Sequence, residues 1–353
     1  MNRFAWTSPT NISEAANAAS ATVANAMSVA PDAMDQTQTA IVTGNGIDLL
    51  DLLKEGLLRP SRIVSLSAIP GLDEVAEEKD GGVRIGPMAT LASLAENQLV
   101  QQRYPALADA LRGSASPQIR NRATLGGNLL QRPRCWYFRS QAYRCLRKGG
   151  EHCFAIFGEN QYHAIFNNMT CAIVHPSTAA TVLVALDATI EITNALDATR
   201  QIRLEDFFVS PDFDLQREND LRPQEIVSAI RLPKPSPNVR TVHLKQCEKD
   251  SFDWPLADVA VALDFDPEDI CKRATIILGA AAPVPYRARA AEAVLTGRCI
   301  DGNVAAEAAR AALSGATPLS KNTYKLPLFE TLVRRAVFRA AALDRDQIAR
   351  PRR

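Results

Sequence analysis

Four cysteines, Cys135, Cys145, Cys153 and Cys171, crowd into one stretch of this 353-residue chain, while Cys247, Cys271 and Cys299 are scattered. Thiolates are soft ligands that suit Zn²⁺ or an iron–sulfur cluster. Nine, seven and seventeen residues separate the four in turn, without the C-x2-C pairs of zinc ribbons or the tight run of a ferredoxin. From the residues alone, iron–sulfur stands only slightly ahead of zinc. Four unligated cysteines in a loop are the plain alternative. Arg132, Arg134, Arg144, Arg147 and Lys148 lie beside these positions and would offset the negative charge of a cluster held by four thiolates.

Two glycine turns offer a second chemistry. Thr43-Gly44-Asn45-Gly46 follows the apolar run Ala40-Ile41-Val42 and precedes a stretch of helical spacing, Ile47 to Glu55, with Leu49, Leu50, Leu52 and Leu53 on one face. Backbone N–H groups left free at such a helix start make an anion site, and glycine lets a ligand approach closely. Gly126-Gly127-Asn128 offers the same from a second loop. Either turn alone is more often just a turn. Neither matches G-x-G-x-x-G or G-x-x-x-x-G-K-[ST], so Rossmann and P-loop readings have no support.

The elements around these motifs read as mixed α and β. An alanine-rich stretch from Asn11 to about Ala40 predicts a short helix and a loose loop, Ala30-Pro31-Asp32-Ala33. Extended stretches follow at Ser61–Leu66 and Val83–Gly86, with helices at Leu91–Glu96 and Pro105–Arg112. From Arg132 to Thr170 the chain carries Trp136, Tyr137, Phe138, Tyr143 and three of the cysteines with little periodicity, as an insertion wrapped around something other than a hydrophobic core would. Regular structure resumes at Ala180–Leu186 and continues in strands at Thr189–Ile192 and Ile226–Leu232, the latter closed by Pro233-Lys234-Pro235, a domain boundary. Strands at Thr241–Cys247, Val259–Phe265 and Ala274–Leu278 and helices at Ala288–Leu295, Val304–Leu313 and Pro327–Ala342 complete the chain.

The totals narrow the function. Hydrophobic residues at 46% and charged residues at 22% describe a globular protein, and the length predicts two or three domains. A formal net charge of +1 argues against a polyanion binder. No apolar run approaches the roughly 18 residues of a membrane span. The opening MNRFAWTSPT lacks the pattern of a secretory signal, so the expectation is a cytoplasmic chain, with co-export by a partner left open. An odd cysteine count without that signal speaks against a disulfide framework.

Taken together, the order of motifs resembles the FAD-binding medium subunit of the xanthine dehydrogenase and aldehyde oxidase superfamily of molybdenum hydroxylases, nearly end to end. Phe4-Ala5-Trp6 is similar to its usual start, and Gly44 through Lys54 resembles its first FAD pyrophosphate loop and helix. Arg84-Ile85-Gly86-Pro87-Met88-Ala89-Thr90 resembles its next strand and turn. Ile119-Arg120-Asn121-Arg122-Ala123-Thr124-Leu125-Gly126-Gly127-Asn128 resembles its second FAD loop and is the most specific match. Asn322 through Ala336 is similar to its closing helix. Gly127 through Cys135 and Cys171-Ala172-Ile173-Val174-His175-Pro176-Ser177 resemble the flavin subunit of bacterial periplasmic-type aldehyde oxidoreductases, and 4-hydroxybenzoyl-CoA reductase carries a related insertion.

The resemblance implies an α+β fold: a two-subdomain FAD-binding domain of the PCMH or vanillyl-alcohol-oxidase kind over 1–235, divided at about 67, with an Fe–S insertion over about 132–171. A smaller α+β domain like the CO dehydrogenase flavoprotein C-terminal domain would cover 236–345, with a tail over 346–353. It implies FAD held by Thr43, Gly44, Asn45, Gly46, Ile47, Asp48, Leu49, Thr124, Gly126, Gly127 and Asn128, with Ile226 near the flavin and Lys245 beside the isoalloxazine or closing its pocket. Thr178 would offer a hydroxyl where an Asp commonly follows His-Pro-Ser. Asn45 and Ile47 replace a Gly and a Thr of the family's first loop. Cys135, Cys145, Cys153 and Cys171 would hold a 4Fe–4S cluster beside the FAD, with no catalytic side chain on this chain. A small subunit with 2Fe–2S clusters and a large one with a molybdenum cofactor would be its partners, in a heterotrimer or a dimer of heterotrimers, delivering electrons through FAD to an external acceptor.

Competing readings are a stand-alone flavin oxidoreductase and a non-enzymatic scaffold with a structural zinc site. His163 and His175 read as structural against a cluster-tuning hydrogen bond, Trp254 as packing against flavin contact, and Cys247, Cys271 and Cys299 as small buried hydrophobes.

Overall fold

The computed structural model describes residues 2–28, 39–249 and 252–342. The expected loop Ala30-Pro31-Asp32-Ala33 and the tail over 346–353 lie outside them.

Three sheets organise the described residues. The first is parallel: β1 (Ala5–Thr7), β2 (Ala40–Thr43) and β3 (Arg62–Ser65) stand in the order β1-β3-β2. Short, apolar and covered on both faces, β2 and β3 are typical of parallel strands. Leu49, Leu52 and Leu53 of the helix Ile47–Lys54 bury against Ile41 and Ile63, whereas Leu50, expected on the same face, is exposed, because the i, i+3, i+4 spacing groups only the other three. The second sheet is antiparallel, in the order β4-β5-β8-β6-β7: β4 (Val75–Glu77), β5 (Val83–Ile85), β6 (Thr189–Asn194), β7 (Thr199–Arg203) and β8 (Glu225–Leu232). Its core takes in the helices Leu91–Glu96, Pro105–Arg112 and Thr178–Ala185.

The third sheet has the order β12-β11-β10-β9, from β9 (Val239–Gln246), β10 (Ala257–Phe265), β11 (Cys271–Gly279) and β12 (Tyr286–Arg287). On β10 the alternation of side chains serves two cores. Val259, Val261 and Leu263 pack with the closing helices Arg289–Leu295, Gly302–Ala311 and Lys325–Ala340, whereas Ala260 packs with Val182 and Leu183 of the helix Thr178–Ala185. The regular structure expected over Ala180–Leu186 is this helix, and every residue from Thr178 to Ala185 is buried, so it has no polar face. At its N-terminus Ser177 Oγ accepts from Ala180 N at 3.0 Å.

The insertion contains only short helical turns, Trp136–Arg139, Leu146–Lys148 and Phe154–Phe157. It is held at both ends by other cores. Phe138 and Cys145 join the core of the first sheet, and Ile165 and Phe166 join that of the third. Phe166 stacks on Tyr286 with ring centroids 4.0 Å apart. Asn322 Nδ2 donates to the carbonyls of His163 and Ala164, both at 3.0 Å, and the buried Lys325 Nζ donates to His163 O at 3.1 Å and Ala280 O at 2.6 Å. Burial pushes the Lys325 ammonium down to about 7.

Candidate functional site

The glycine turns meet. Gly46 has φ +79° and caps the helix Ile47–Lys54 without a side-chain hydrogen bond, leaving the N–H groups of its first turn directed out of the helix. Thr124 caps the second loop's helix, Leu125–Leu129, its Oγ1 accepting from Gly127 N at 3.1 Å. A Cβ on Gly44 would stand 2.8 Å from Thr124 Oγ1, and one on Gly126 would stand 2.8 Å from Pro87 Cβ and 3.0 Å from Pro87 O. The loops therefore touch backbone to side chain, which larger residues would prevent. Asn45, a departure from the family's loop, joins them: its Nδ2 donates to Arg122 O at 2.9 Å.

Between the loops lies a cavity of about 370 Å³, within the usual range for small-molecule sites. Every residue expected at the flavin lines it: Thr43, Gly44, Asn45, Gly46, Ile47, Asp48 and Leu49 from the first loop; Thr124, Gly126, Gly127 and Asn128 from the second; and Thr178, Ile226 and Lys245 from beyond them. Asn128 Oδ1 accepts from Ser177 Oγ at 2.6 Å, coupling the second loop to the helix that begins with Thr178. Lys245 Nζ donates to Gly113 O at 2.9 Å and Asp253 O at 3.1 Å, closing one wall. Thr43 Oγ1 is buried with no hydrogen-bond partner among the described residues. An orphaned hydroxyl and a cradle that Cβ atoms would fill are what a dinucleotide's pyrophosphate requires of its site, so the residues present fit FAD.

Sequence reasoning missed part of the wall. Arg217, Glu218 and Arg222 also line the cavity, from a segment with no glycine turn or periodicity to mark it. Trp254 differs from the expected packing residue: it is 52% exposed at the cavity and lies beneath the Arg134 guanidinium, 4.8 Å from its ring centroid. Arg134 also reaches Asp48 at 2.9 Å, and Arg139 reaches Asp48 at 2.7 Å and Asp51 at 2.9 Å. These pairs tie the start of the insertion to the first loop's helix.

Cys135, Cys145, Cys153 and Cys171 line a second, much smaller cavity of about 10 Å³ together with His163 and Arg147. Among the described residues no three His, Cys, Asp or Glu side chains form a set that could hold one metal ion. Burial pushes the Cys135 thiol up to about 12 and raises Cys145. Cys153 and Cys171 interact thiol to thiol, which drives Cys153 down and Cys171 up. His163 Nε2 lies 3.2 Å from Cys135 Sγ, and burial pushes this imidazole down to about 4; its Nδ1 is buried, with no hydrogen-bond partner among the described residues. His175 is buried, edge-on to Phe208, and pushed down to about 3 by desolvation. A single tetrahedral ion needs its donors converging on one point, whereas a multi-iron cluster spreads one thiolate to each iron. The four cysteines share one small cavity, but among the described residues they form no ligand set for a metal ion.

Of the basic residues flanking the cysteines, only Arg147 lines their cavity; Arg132 and Arg134 line the larger one. Among the scattered cysteines, Cys271 is buried as expected, Cys247 is half-buried with its Sγ donating to Asp253 O at 3.3 Å, and Cys299 is exposed. The expectation of a buried Cys299 fails because it sits in the loop after the helix Arg289–Leu295, where its backbone bridges Ile270 at the rim of the third sheet.

Residues 2–235 match the family described as the FAD binding domain in molybdopterin dehydrogenase, and residues 242–340 match the CO dehydrogenase flavoprotein C-terminal domain. The aldehyde oxidoreductase FAD-binding subunit PaoB of Escherichia coli (strain K12) is 34% identical over 286 residues, which cover 80% of this chain and 86% of the relative. The nicotine 6-hydroxylase medium subunit of Paenarthrobacter nicotinovorans is 27% identical, over 88% of this chain and 93% of the relative. In fold, the chain is similar to a chain of quinoline 2-oxidoreductase from Pseudomonas putida 86, with a TM-score of 0.71 at 23% identity, covering 97% of this chain and 98% of that one. A chain of carbon monoxide dehydrogenase from Hydrogenophaga pseudoflava gives the same values.

Proposed function

This chain belongs to the FAD-binding family of molybdopterin dehydrogenases and is an oxidoreductase subunit, and from that premise we propose that it carries FAD and a 4Fe–4S cluster as the electron-transfer subunit of a heteromeric molybdenum-dependent aldehyde oxidase or dehydrogenase. The observation that carries the reading is the convergence of both glycine loops on one cavity, with a cysteine-lined cavity beyond its wall. In this reading a small partner subunit holds 2Fe–2S clusters and a large one holds the molybdenum cofactor, where an aldehyde is oxidised to a carboxylic acid. The similarity to an aldehyde oxidoreductase subunit over most of both chains supports that choice of substrate class.

Bound FAD would supply the conversion between single-electron delivery and two-electron release, and the cluster a further one-electron centre. The chain's own residues bind, orient and enclose. N–H groups at the start of the helix Ile47–Lys54 and in the Thr124–Asn128 loop would hold the pyrophosphate, and Thr43 Oγ1 is free to hydrogen-bond to it. Ile226 supplies an apolar wall, while Lys245 holds two backbone carbonyls together and keeps that side shut. Arg134 and Trp254 flank the cavity where the insertion meets the 252–255 segment. Cys135, Cys145, Cys153 and Cys171 would ligate the cluster. No side chain is required as acid, base or nucleophile. None of the described helices is long and apolar enough to cross a membrane.

Anaerobic purification of the full chain, a visible absorption spectrum and iron and zinc analysis of the same sample test the proposal. Flavin bands, a broad cluster shoulder and about four irons per chain are expected. Flavin with zinc in place of iron would remove the cluster, and well-folded protein without flavin would overturn the reading.

A further inference from the structure

The wall between the two cavities contains charges that do not cancel. Arg132 lines the large cavity and Arg147 the cysteine cavity. Both hold the same carboxylate: Arg132 Nε lies 3.2 Å from Glu218 Oε2, and Arg147 Nη1 donates to Glu218 Oε1 at 2.5 Å. All three residues are buried. Two cations against one anion leave a net positive charge, and Arg147 Nε and Nη2 have no hydrogen-bond partner among the described residues. A buried cation in excess is strongly unfavourable unless something else neutralises it.

The neighbouring charges show what that something is. Asp48 and Asp51 pair with Arg134 and Arg139; Asp48 also acts on Arg132, whereas the carboxylate that Arg147 contacts is the shared Glu218. Lys148 donates to Ser140 O instead of to a carboxylate. Arg147 lines the small cavity beside Cys135, Cys145, Cys153 and Cys171. An anionic group held by these thiolates would balance the excess, and the two free guanidinium N–H positions would find acceptors in its sulfurs.

We infer that Arg147, clamped by Glu218, is the charge partner of the cysteine-bound group and raises its reduction potential, and that the shared contact with Arg132 builds this tuning charge into the wall of the flavin cavity. The inference rests on the cluster reading given above. Its physical basis is that reduction adds a negative charge to the group, and a fixed cation in a low-dielectric wall stabilises the reduced state more than the oxidised one. Arginine suits the role because it keeps its charge when buried.

The test compares the full wild-type chain with Arg147→Lys and Arg147→Gln, each purified anaerobically and reconstituted with iron and sulfide. Iron and flavin content are measured first. Midpoint potentials then follow from one mediated titration, the cluster read by electron paramagnetic resonance and the flavin by absorbance. Arg147→Gln should shift the cluster to lower potential and move the flavin less, while Arg147→Lys should stay near wild type. Full iron with an unchanged potential in Arg147→Gln overturns the inference. Should Arg147→Gln fail to hold iron, retention at wild-type potential in Arg147→Lys supports a requirement for charge. Loss of iron from both variants in folded protein points to shape instead, and overturns it. Wild-type protein that takes up no iron fails the cluster reading itself, before any variant is compared.

Discussion

Thr43 offers a test in which stability and binding should move in opposite directions. Its hydroxyl is buried at the end of β2, lines the large cavity and has no partner among the described residues. An unsatisfied buried hydroxyl costs roughly 1–3 kcal/mol. Thr43→Val keeps the branched shape and removes the polar atom, so the flavin-free chain should gain about 1 kcal/mol. If FAD supplies the missing partner, the same change removes one hydrogen bond from the complex. Flavin affinity should then fall about tenfold, the equivalent of ~1.4 kcal/mol. Denaturant unfolding of flavin-stripped protein measures the first effect, and fluorescence titration with FAD measures the second. A less stable apo protein would show that the hydroxyl is already satisfied. An unchanged affinity would show that FAD does not reach it, and either result refutes the reasoning.

Other perturbations follow from the same geometry. Gly126→Ala places a Cβ against Pro87 backbone that cannot swing aside; overpacking of about 1–3 kcal/mol should lower the melting temperature and the flavin content of purified protein. Cys171→Ser should deplete iron while leaving flavin bound, because Cys171 lies on the small cavity and not the large one; absorbance and metal analysis of one sample separate the two losses. His175 is held at about 3, below its ordinary 6.5, so the unfolded chain takes up a proton first as pH falls through 6.5 toward 3. Its contribution to stability is intact above 6.5 and should fall by about 2 kcal/mol by pH 5. His175→Gln should flatten that part of the stability profile, measured by denaturant unfolding at pH 7 and pH 5.

Much of the site was legible because its signals are local. A glycine that must take a positive φ, as Gly46 does, or admit a close neighbour, as Gly44 and Gly126 do, is written at its own position. The helix Ile47–Lys54 shows its buried face in its spacing, and strands β2, β3, β8, β10 and β11 overlap the expected runs closely. Short elements were missed, among them β1, β4 and β7. β1 and β4 have three residues each, and the exposed alternate positions of β7 carry Thr199, Gln201 and Arg203 with little apolar content to mark a buried face. Trp254 was misread because an aromatic near a proline looks the same in sequence whether it fills a core or flanks a cavity.

By itself the sequence determined the inventory: two glycine loops able to take a phosphate, four soft ligands in an aperiodic insertion, and the succession of strands and helices that carries them. These depend on backbone freedom, donor chemistry and periodicity, which neighbouring residues fix among themselves. Tertiary structure alone decided that the loops interlock through Asn45 and Arg122, that Trp254 flanks the cavity with Arg134, and that Lys325 fastens the insertion from the far end of the chain. It also decided that Glu218 joins Arg132 to Arg147 between the two cavities. Such contacts link side chains far apart in sequence and obey no period. Burial, not proximity along the chain, makes them matter: a charge or hydroxyl removed from water must find its partner in whatever the fold brings alongside it.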